Sequence, residues 1–271
     1  MTDTPHPNSV GSADGSEPAE DRAGATRRSV ITRLGGATLG LATVGLAGSA
    51  HAQPRAEAGR STGSPTQAAT CVLTPEQTEG PFYLDLETVR KDITEGKPGV
   101  PLTLRVTVVD ATTCAPLPNT AVDIWHCDAL GVYSGYAAGG STSDTTFLRG
   151  VQLSDATGIA TFTTLYPGWY VGRALHIHVK THAGGTVSGG KYHGGHVSHT
   201  GQLYFPETYN SKVAALAPYR TNTTARTLNA RDGIYQRGGS STLLTLAQVD
   251  GDLSKGVTGT VVLGIHPATT P

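Results

Sequence analysis

The segment LTLRVTVVD, residues 102–110, decides the fold class of this chain. Its apolar side chains stand at every second position and polar ones lie between them, which is the period of a β-strand with one buried face. Gly, Pro, Asn and Asp residues typical of turns follow it. Comparable β-rich segments recur at 120–127, 158–166, 175–182, 201–205, 241–249 and 258–266.

Helical periodicity is scarce in the same region. Residues 85–92 and 211–217 each suggest one short helix, and no long internal repeat is visible. Regularly spaced short strands are typical of an antiparallel β-sandwich or barrel. Of the two we predict the sandwich: an all-β fold, an antiparallel β-sandwich with short helices in its loops.

Composition changes three times along the chain. A polar, acidic start poor in large apolar residues predicts a disordered tail, and a Pro/Gly/Ser/Thr/Ala segment before the first cysteine predicts a flexible linker. We therefore divide the chain into a disordered tail, an export signal, a linker and one folded domain, at residues 1–25, 26–52, 53–70 and 71–271.

The segment 26–52 carries the features of a twin-arginine export signal. Arg27 and Arg28 precede a weakly apolar stretch, and Ala50-His51-Ala52 has the pattern of a cleavage site. The alternative is a membrane anchor, but the stretch is short for a bilayer span and contains several glycines. We expect an exported protein, periplasmic or extracellular, without a stable membrane anchor.

Charge and cysteine content exclude other classes. The formal net charge is −1, and no sustained basic run follows residue 34, so we expect no nucleic-acid partner. Cys71, Cys114 and Cys127 lack the CxxC pairs of a structural zinc site. One disulfide and one free thiol are expected, and the sequence leaves all three pairings open.

The segment YPGWYVGRALHIH, residues 166–178, concentrates groups that bind metals. Alternate residues of a strand share a face, so His176 and His178 would point the same way. The Pro-Gly turn before them brings a tyrosine back over that face, and Arg173 would favour its phenolate. Phenolate oxygen suits a hard trivalent ion such as iron(III).

A second phenol would come from IWHCDALGVYSGY, residues 124–136, which presents Tyr133 and Tyr136 at a turn. Three motifs, TEGPFY (78–83), DIWHCDALGVYSG (123–135) and YPGWYVGRALHIHV (166–179), together resemble the intradiol ring-cleavage dioxygenases, the family of catechol 1,2-dioxygenase and protocatechuate 3,4-dioxygenase. The likeness covers roughly residues 71–206, and the motifs stand in the family's order.

The resemblance implies a β-sandwich that binds a non-haem iron(III) ion, with Tyr133, Tyr170, His176 and His178 as its ligands. Only five residues separate Tyr170 from His176, fewer than in many relatives, so Tyr166 remains a competitor for the second phenolate. The helical region through which catechol dioxygenases dimerise has no counterpart here, and the oligomeric state stays open.

The resemblance also implies an activity. A catechol-type ring would be cleaved between its two hydroxyl-bearing carbons with incorporation of dioxygen, giving a muconate-type diacid. Tyr133 would accept a substrate proton, and Arg173 would stabilise developing negative charge. The alternative is a non-catalytic secreted binding module that uses the histidines for zinc or copper.

Other residues have simpler interpretations. By resemblance, Pro81 and Tyr83 would line a substrate pocket, and Trp169, like Trp125, would be a core or pocket-wall aromatic. His126 is expected beside the metal ligands without being one. A Gly-rich segment with three further histidines predicts a surface loop, at His193, His196 and His199.

Overall fold

The computed structural model describes residues 71–137 and 142–271. The predicted tail, export signal and linker lie outside this part of the chain. Its regular structure contains ten strands, one α-helix and several short 3-10 helices. The strands and the α-helix are β1 Pro101–Asp110, β2 Ala121–Trp125, β3 Arg149–Leu153, β4 Ile159–Leu165, β5 His176–Ala183, β6 Thr186–Ser188, β7 Lys191–His193, β8 His196–Tyr204, α1 Glu207–Ala214, β9 Thr245–Gln248 and β10 Val257–Ile265. No helix in this part is both long and apolar enough to cross a bilayer.

Two four-stranded sheets form the domain, in the orders β4-β1-β10-β9 and β3-β2-β5-β8, and β6 and β7 form a separate hairpin. Leu104 and Val106 of β1 share one buried apolar cluster with Ile177 and Val179 of β5. Side chains from both sheets therefore meet in a single core, which confirms the predicted β-sandwich.

One strand pair departs from the antiparallel prediction. β1 and β10 run parallel, with Val106 opposite Val261, while the other strand pairs within the two sheets are antiparallel. Parallel neighbours need a long crossover connection. Here that connection contains most of the domain, because β1 is the first strand along the chain and β10 is the last.

The helix predicted at 85–92 is wrong. This segment is extended and makes isolated bridges from Thr88 to Lys191, Val89 to Val151 and Asp92 to Thr163. Its bonds to strand edges replace the bonds of a helix, a tertiary effect that local propensity does not contain. The helix predicted at 211–217 exists but begins earlier, at Glu207.

Strand predictions were right in position and less accurate in extent. The segment 201–205 is the end of β8, which begins at His196. The segment 241–249 contains the end of a 3-10 helix, Gly239–Thr242, before β9. β3, β6 and β7 were not predicted, since their residues RGVQL, TVS and KYH are too few to show a clear alternation.

A disulfide joins Cys71 to Cys114, with their Cα atoms 5.4 Å apart, and Cys127 is a buried free thiol. The expectation of one disulfide and one free cysteine is confirmed. The bridge ties the first described residue to the turn after β1.

Candidate metal centre

The two histidines of β5 face each other at their outer nitrogens. Ile177 points into the core and leaves His176 and His178 together on the opposite face of the strand. Their Nε2 atoms lie 3.1 Å apart, and both residues are buried. Nδ1 of His176 donates to the carbonyl of Ala174 at 2.6 Å, which leaves its Nε2 lone pair available to a metal.

Tyr170 lies next to the two histidines. Its hydroxyl lies 3.3 Å from Nε2 of His176. Tyr166, the competitor, is buried in the core instead, where its hydroxyl donates to Oδ1 of Asn210 at 2.7 Å. The structure therefore brings Tyr170, and not Tyr166, to the histidines.

Tyr133 also lies near these residues. Its ring centroid is 5.8 Å from that of Tyr170 and 6.1 Å from that of His178. The loop that carries it packs tightly on the loop of Tyr170: Gly131 has φ +86°, and a Cβ there would stand 2.3 Å from the carbonyl oxygen of Trp169. The Tyr133 hydroxyl is buried and has no hydrogen-bond partner among the described residues.

Tyr136, the other phenol of that segment, turns away. Its hydroxyl donates to the carbonyl of Tyr83 at 2.9 Å, and its ring meets Phe82 edge-on at 5.2 Å. Of the two tyrosines at this turn, only Tyr133 has a buried hydroxyl without a hydrogen-bond partner among the described residues.

Burial controls the protonation of these groups. It raises the pKa of Tyr170 to about 12, although the nearby Arg173 charge lowers it, and raises that of Tyr133 well above its usual value. Burial, with the Arg173 charge, lowers the pKa of His176 to about 3 and that of His178 well below its ordinary range. The expected direction of the Arg173 effect is confirmed, because its charge lowers the pKa of Tyr170, but burial raises that pKa by more.

The spacing of these donors could hold one metal ion. Donors bound to one ion at about 2.1 Å and separated by roughly 90–105° lie about 3.0–3.3 Å apart, which matches the observed contacts of His176 with His178 and Tyr170. Two imidazoles and two phenol oxygens are donors that could hold a hard cation such as iron(III). Within the described residues no group of three or more His, Cys, Asp or Glu side chains offers an ordinary zinc or copper site.

Arg173 is held beside the site by groups that sequence analysis missed. Its Nε donates to Oδ2 of Asp232 at 2.9 Å, and its Nη2 donates to Oε1 of Gln202 and, at 3.3 Å, to the hydroxyl of Tyr204. Tyr204 and Gln202 stand opposite His176 and His178 in the β5–β8 register. The sequence does not reveal this strand pairing, because β8 carries no motif that would link Gln202 and Tyr204 to the site.

Phe82 and Arg149 were also missed. The Phe82 ring stacks on Tyr133 with centroids 4.3 Å apart and planes at 15°. The Arg149 guanidinium, 6.0 Å from the Tyr133 ring centroid, donates to the Phe82 carbonyl and to both Oγ and the carbonyl of Ser134, each at 2.8 Å. The buried guanidinium thus holds both Phe82, which stacks on the Tyr133 ring, and Ser134, which follows Tyr133 in the chain.

The three residues predicted to line a substrate pocket, Pro81, Tyr83 and Trp169, lie in different surroundings. Pro81 is exposed at the turn next to the site. Tyr83 packs on Trp125 at 4.8 Å, and Nζ of Lys180 lies 3.6 Å from its ring centroid. Trp169 belongs to the core, and its indole donates to the carbonyl of Thr224 at 2.7 Å, so we place it in the core rather than in a pocket wall.

His126 is satisfied by protein atoms, as expected. Its Nδ1 donates to the carbonyl of Cys127, and its Nε2 accepts from the hydroxyl of Thr164, both at 2.8 Å. Burial lowers its pKa to about 4. Neither nitrogen remains for a metal.

The surface loop predicted for three histidines is wrong in part. His193 lies exposed on β7, and His196 and His199 belong to β8. His199 is fully buried, with Nδ1 2.5 Å from a carboxylate oxygen of Glu76. Gly194 and Gly195 form only the turn between the two strands, so the glycine-rich composition overstated the length of the loop.

Comparison with known proteins gives one consistent result. The Dioxygenase_C family model, described as a dioxygenase, matches residues 78–207. An intradiol ring-cleavage dioxygenase from Tetranychus urticae is 31% identical with a TM-score of 0.66, over 74% of this chain and 98% of that one. A search of curated proteins found no match.

Two further structures support the fold. The dioxygenase domain of a dioxygenase carbohydrate-binding protein fusion from Streptomyces sp. SirexAA-E is 28% identical over 71% of this chain and 99% of that one, with a TM-score of 0.50. A 3-chlorocatechol 1,2-dioxygenase from Rhodococcus opacus 1CP, 18% identical over 73% and 74% of the two chains at a TM-score of 0.50, shares the fold. With its sandwich and with two tyrosines and two histidines around one point, the chain belongs to the intradiol ring-cleavage dioxygenase family.

Proposed function

We propose that this chain is a non-haem iron(III) intradiol dioxygenase. It would cleave a catechol-type ring between its two hydroxyl-bearing carbons, using dioxygen, to give a muconate-type diacid. The observation that carries the proposal is the convergence of the outer nitrogens of His176 and His178 with the hydroxyl of Tyr170. The buried, unpartnered hydroxyl of Tyr133 completes the donor set.

His176, His178, Tyr170 and Tyr133 would hold the ion. When bound, iron(III) would act as a Lewis acid and a template for the catechol. The imidazoles are neutral and need lose no proton to bind it, because burial lowers their pKa values. The phenols must lose theirs, so metal loading should release protons.

Tyr133 has the properties of a proton acceptor. Burial raises its pKa well above the usual phenol value, so its phenolate oxygen would hold a proton firmly once it received one from the catechol. The Tyr133 hydroxyl makes no regular hydrogen bond to a described residue, and the neighbouring Tyr170 further raises its pKa. Phe82 stacks on the ring and keeps its plane fixed during the transfer.

Arg173 would place a positive charge where the substrate becomes anionic. Asp232 and Gln202 engage its Nε and Nη2, which fixes the plane of the guanidinium. Asp232 also accepts from the backbone nitrogen of Ala174 at 2.8 Å, so the Arg173 plane is tied to the chain just before His176. A cation held in this way stabilises developing charge without reorganising.

Oxygen uptake tests the proposal. Iron-loaded protein should consume one dioxygen per catechol and form a product with the ultraviolet absorbance of a muconate-type diacid. A panel of catechols and hydroxyquinol, followed with an oxygen electrode, would identify the preferred substrate. Absence of uptake across the panel, or a ring opened outside the two hydroxyl-bearing carbons, would refute the proposed activity.

We also propose export by the twin-arginine route to the periplasm or the medium. The Cys71–Cys114 disulfide supports it, because such bonds persist mainly in oxidising compartments. Fractionation of cells that express the full chain checks this: the processed protein should leave the cytoplasm, and retention of the unprocessed chain there would contradict it.

A further inference from the structure

The two histidines of the site are held in different ways. His176 follows the usual arrangement of a metal-binding imidazole, with its second nitrogen donating to a backbone carbonyl at 2.6 Å. Nδ1 of His178 is buried and has no hydrogen-bond partner among the described residues. No hydrogen bond from a described residue therefore fixes the plane of the His178 ring.

Trp125 covers one face of that ring. The two side chains stand opposite each other in the β2–β5 register, with centroids 4.9 Å apart and planes within 7°. Trp125 is 1% exposed, and its indole nitrogen makes no hydrogen bond to a described residue. Trp125 therefore contacts His178 through the face of its ring, and its indole N–H group takes no part in this contact.

Gly80 lies close to the edge of the His178 ring. Its φ is +74°, and a Cβ at this position would stand 3.1 Å from Cε1 and 3.8 Å from Nε2 of His178. A side chain here would be strained by the positive φ, and its Cβ would push the His178 ring away by a few tenths of an ångström.

The segment that carries Gly80 is fastened to the same sheet. The backbone nitrogen of Gln77 donates to the carbonyl of Thr200 at 2.9 Å, and the Gln202 amide donates to the carbonyl of Thr78 at 2.9 Å. Glu79 pairs with Lys180, two residues beyond His178 on β5. The backbone beside the imidazole therefore cannot withdraw freely.

We propose that Trp125 and Gly80 are positioning residues for His178, which direct its Nε2 towards the other donors by packing in place of a hydrogen bond. This inference rests on the proposed function, since it concerns the affinity of the same site for iron. It predicts that metal affinity depends on two residues that are not among the four proposed metal ligands.

Two matched pairs of variants test it, with ferric ion as the probe in competition with a chelator. Trp125→Leu should weaken binding by about 10–100-fold, as other losses of support around metal ligands do, whereas Trp125→Phe keeps a flat ring and should bind nearly as the wild type does. Phe162→Leu, which removes a fully buried aromatic from the opposite sheet, is the control for lost packing.

Gly80→Ala should weaken ferric ion binding by about tenfold or more, because its Cβ displaces the His178 ring. Gly96→Ala is the matched control, since Gly96 has φ +71° and nothing within 4 Å of its would-be Cβ. It carries the same backbone strain without touching the site. Equal affinities in wild type, Trp125→Leu and Gly80→Ala would overturn the proposal, and so would equal losses in both controls.

A second readout needs no metal. In the metal-free protein the stacked indole should shift the His178 Cε1 proton upfield in the NMR spectrum, and Trp125→Leu should abolish that shift. A wild type that binds no ferric ion would refute the proposed function. A wild type that binds it, with an unchanged proton shift in Trp125→Leu, would refute only the positioning role.

Discussion

Tyr170→Phe should lower catechol cleavage and iron retention by more than about 100-fold, because removing a ligand costs more than removing its support, for which about 10–100-fold is typical. The variant loses the hydroxyl that lies 3.3 Å from Nε2 of His176. Its visible colour from phenolate-to-iron charge transfer should shift or fade. Activity, bound iron and the absorption spectrum measure the three effects.

Tyr166→Phe is the matched control. It removes a hydroxyl four residues earlier, but that hydroxyl bonds Asn210 in the core. We expect unchanged colour and iron content, and a loss of stability of about 1 kcal/mol for one hydrogen bond. If Tyr166→Phe bleached the protein and Tyr170→Phe did not, the ligand set would be wrong.

Arg149→Met should lower the free energy of unfolding by about 3 kcal/mol, since it leaves buried acceptors without donors. The guanidinium makes three bonds, one to the Phe82 carbonyl and two to Ser134. Chemical denaturation of the metal-free protein measures the loss, which corresponds to a decrease in Tm of roughly 6–12 °C.

Arg149→Lys refines this prediction. Lysine keeps the charge but not the planar fork that reaches both segments, so we expect it to recover less than half of the lost stability. A stability of Arg149→Met within about 0.5 kcal/mol of wild type, the usual range for surface substitutions, would show that Arg149 does not join Phe82 to the Tyr133 turn.

Local pattern accounts for what the sequence predicted well. The alternation in β1 identified a strand with one buried face, and the same period placed His176 and His178 on one side of β5. The three motifs supplied Tyr133 and Tyr170. Each of these features is contained in a few consecutive residues.

Long-range pairing accounts for what the sequence did not predict. Gln202 joins the site because β8 lies beside β5 in a particular register, and Phe82 joins it because the segment around residue 80 crosses the sheet. Asp232 reaches Arg173 from 59 residues away in the chain. The parallel pairing of β1 with β10 and the extended course of residues 85–92 depend on contacts of the same kind.

Resonance Raman spectroscopy of the iron-loaded protein, excited in its visible band, can show whether two phenolates and two imidazoles share one ferric ion. We expect tyrosinate vibrations from two distinct phenolates, with one set lost in Tyr133→Phe and the other in Tyr170→Phe. A colourless protein without tyrosinate vibrations, or a spectrum unchanged in both variants, would contradict this expectation.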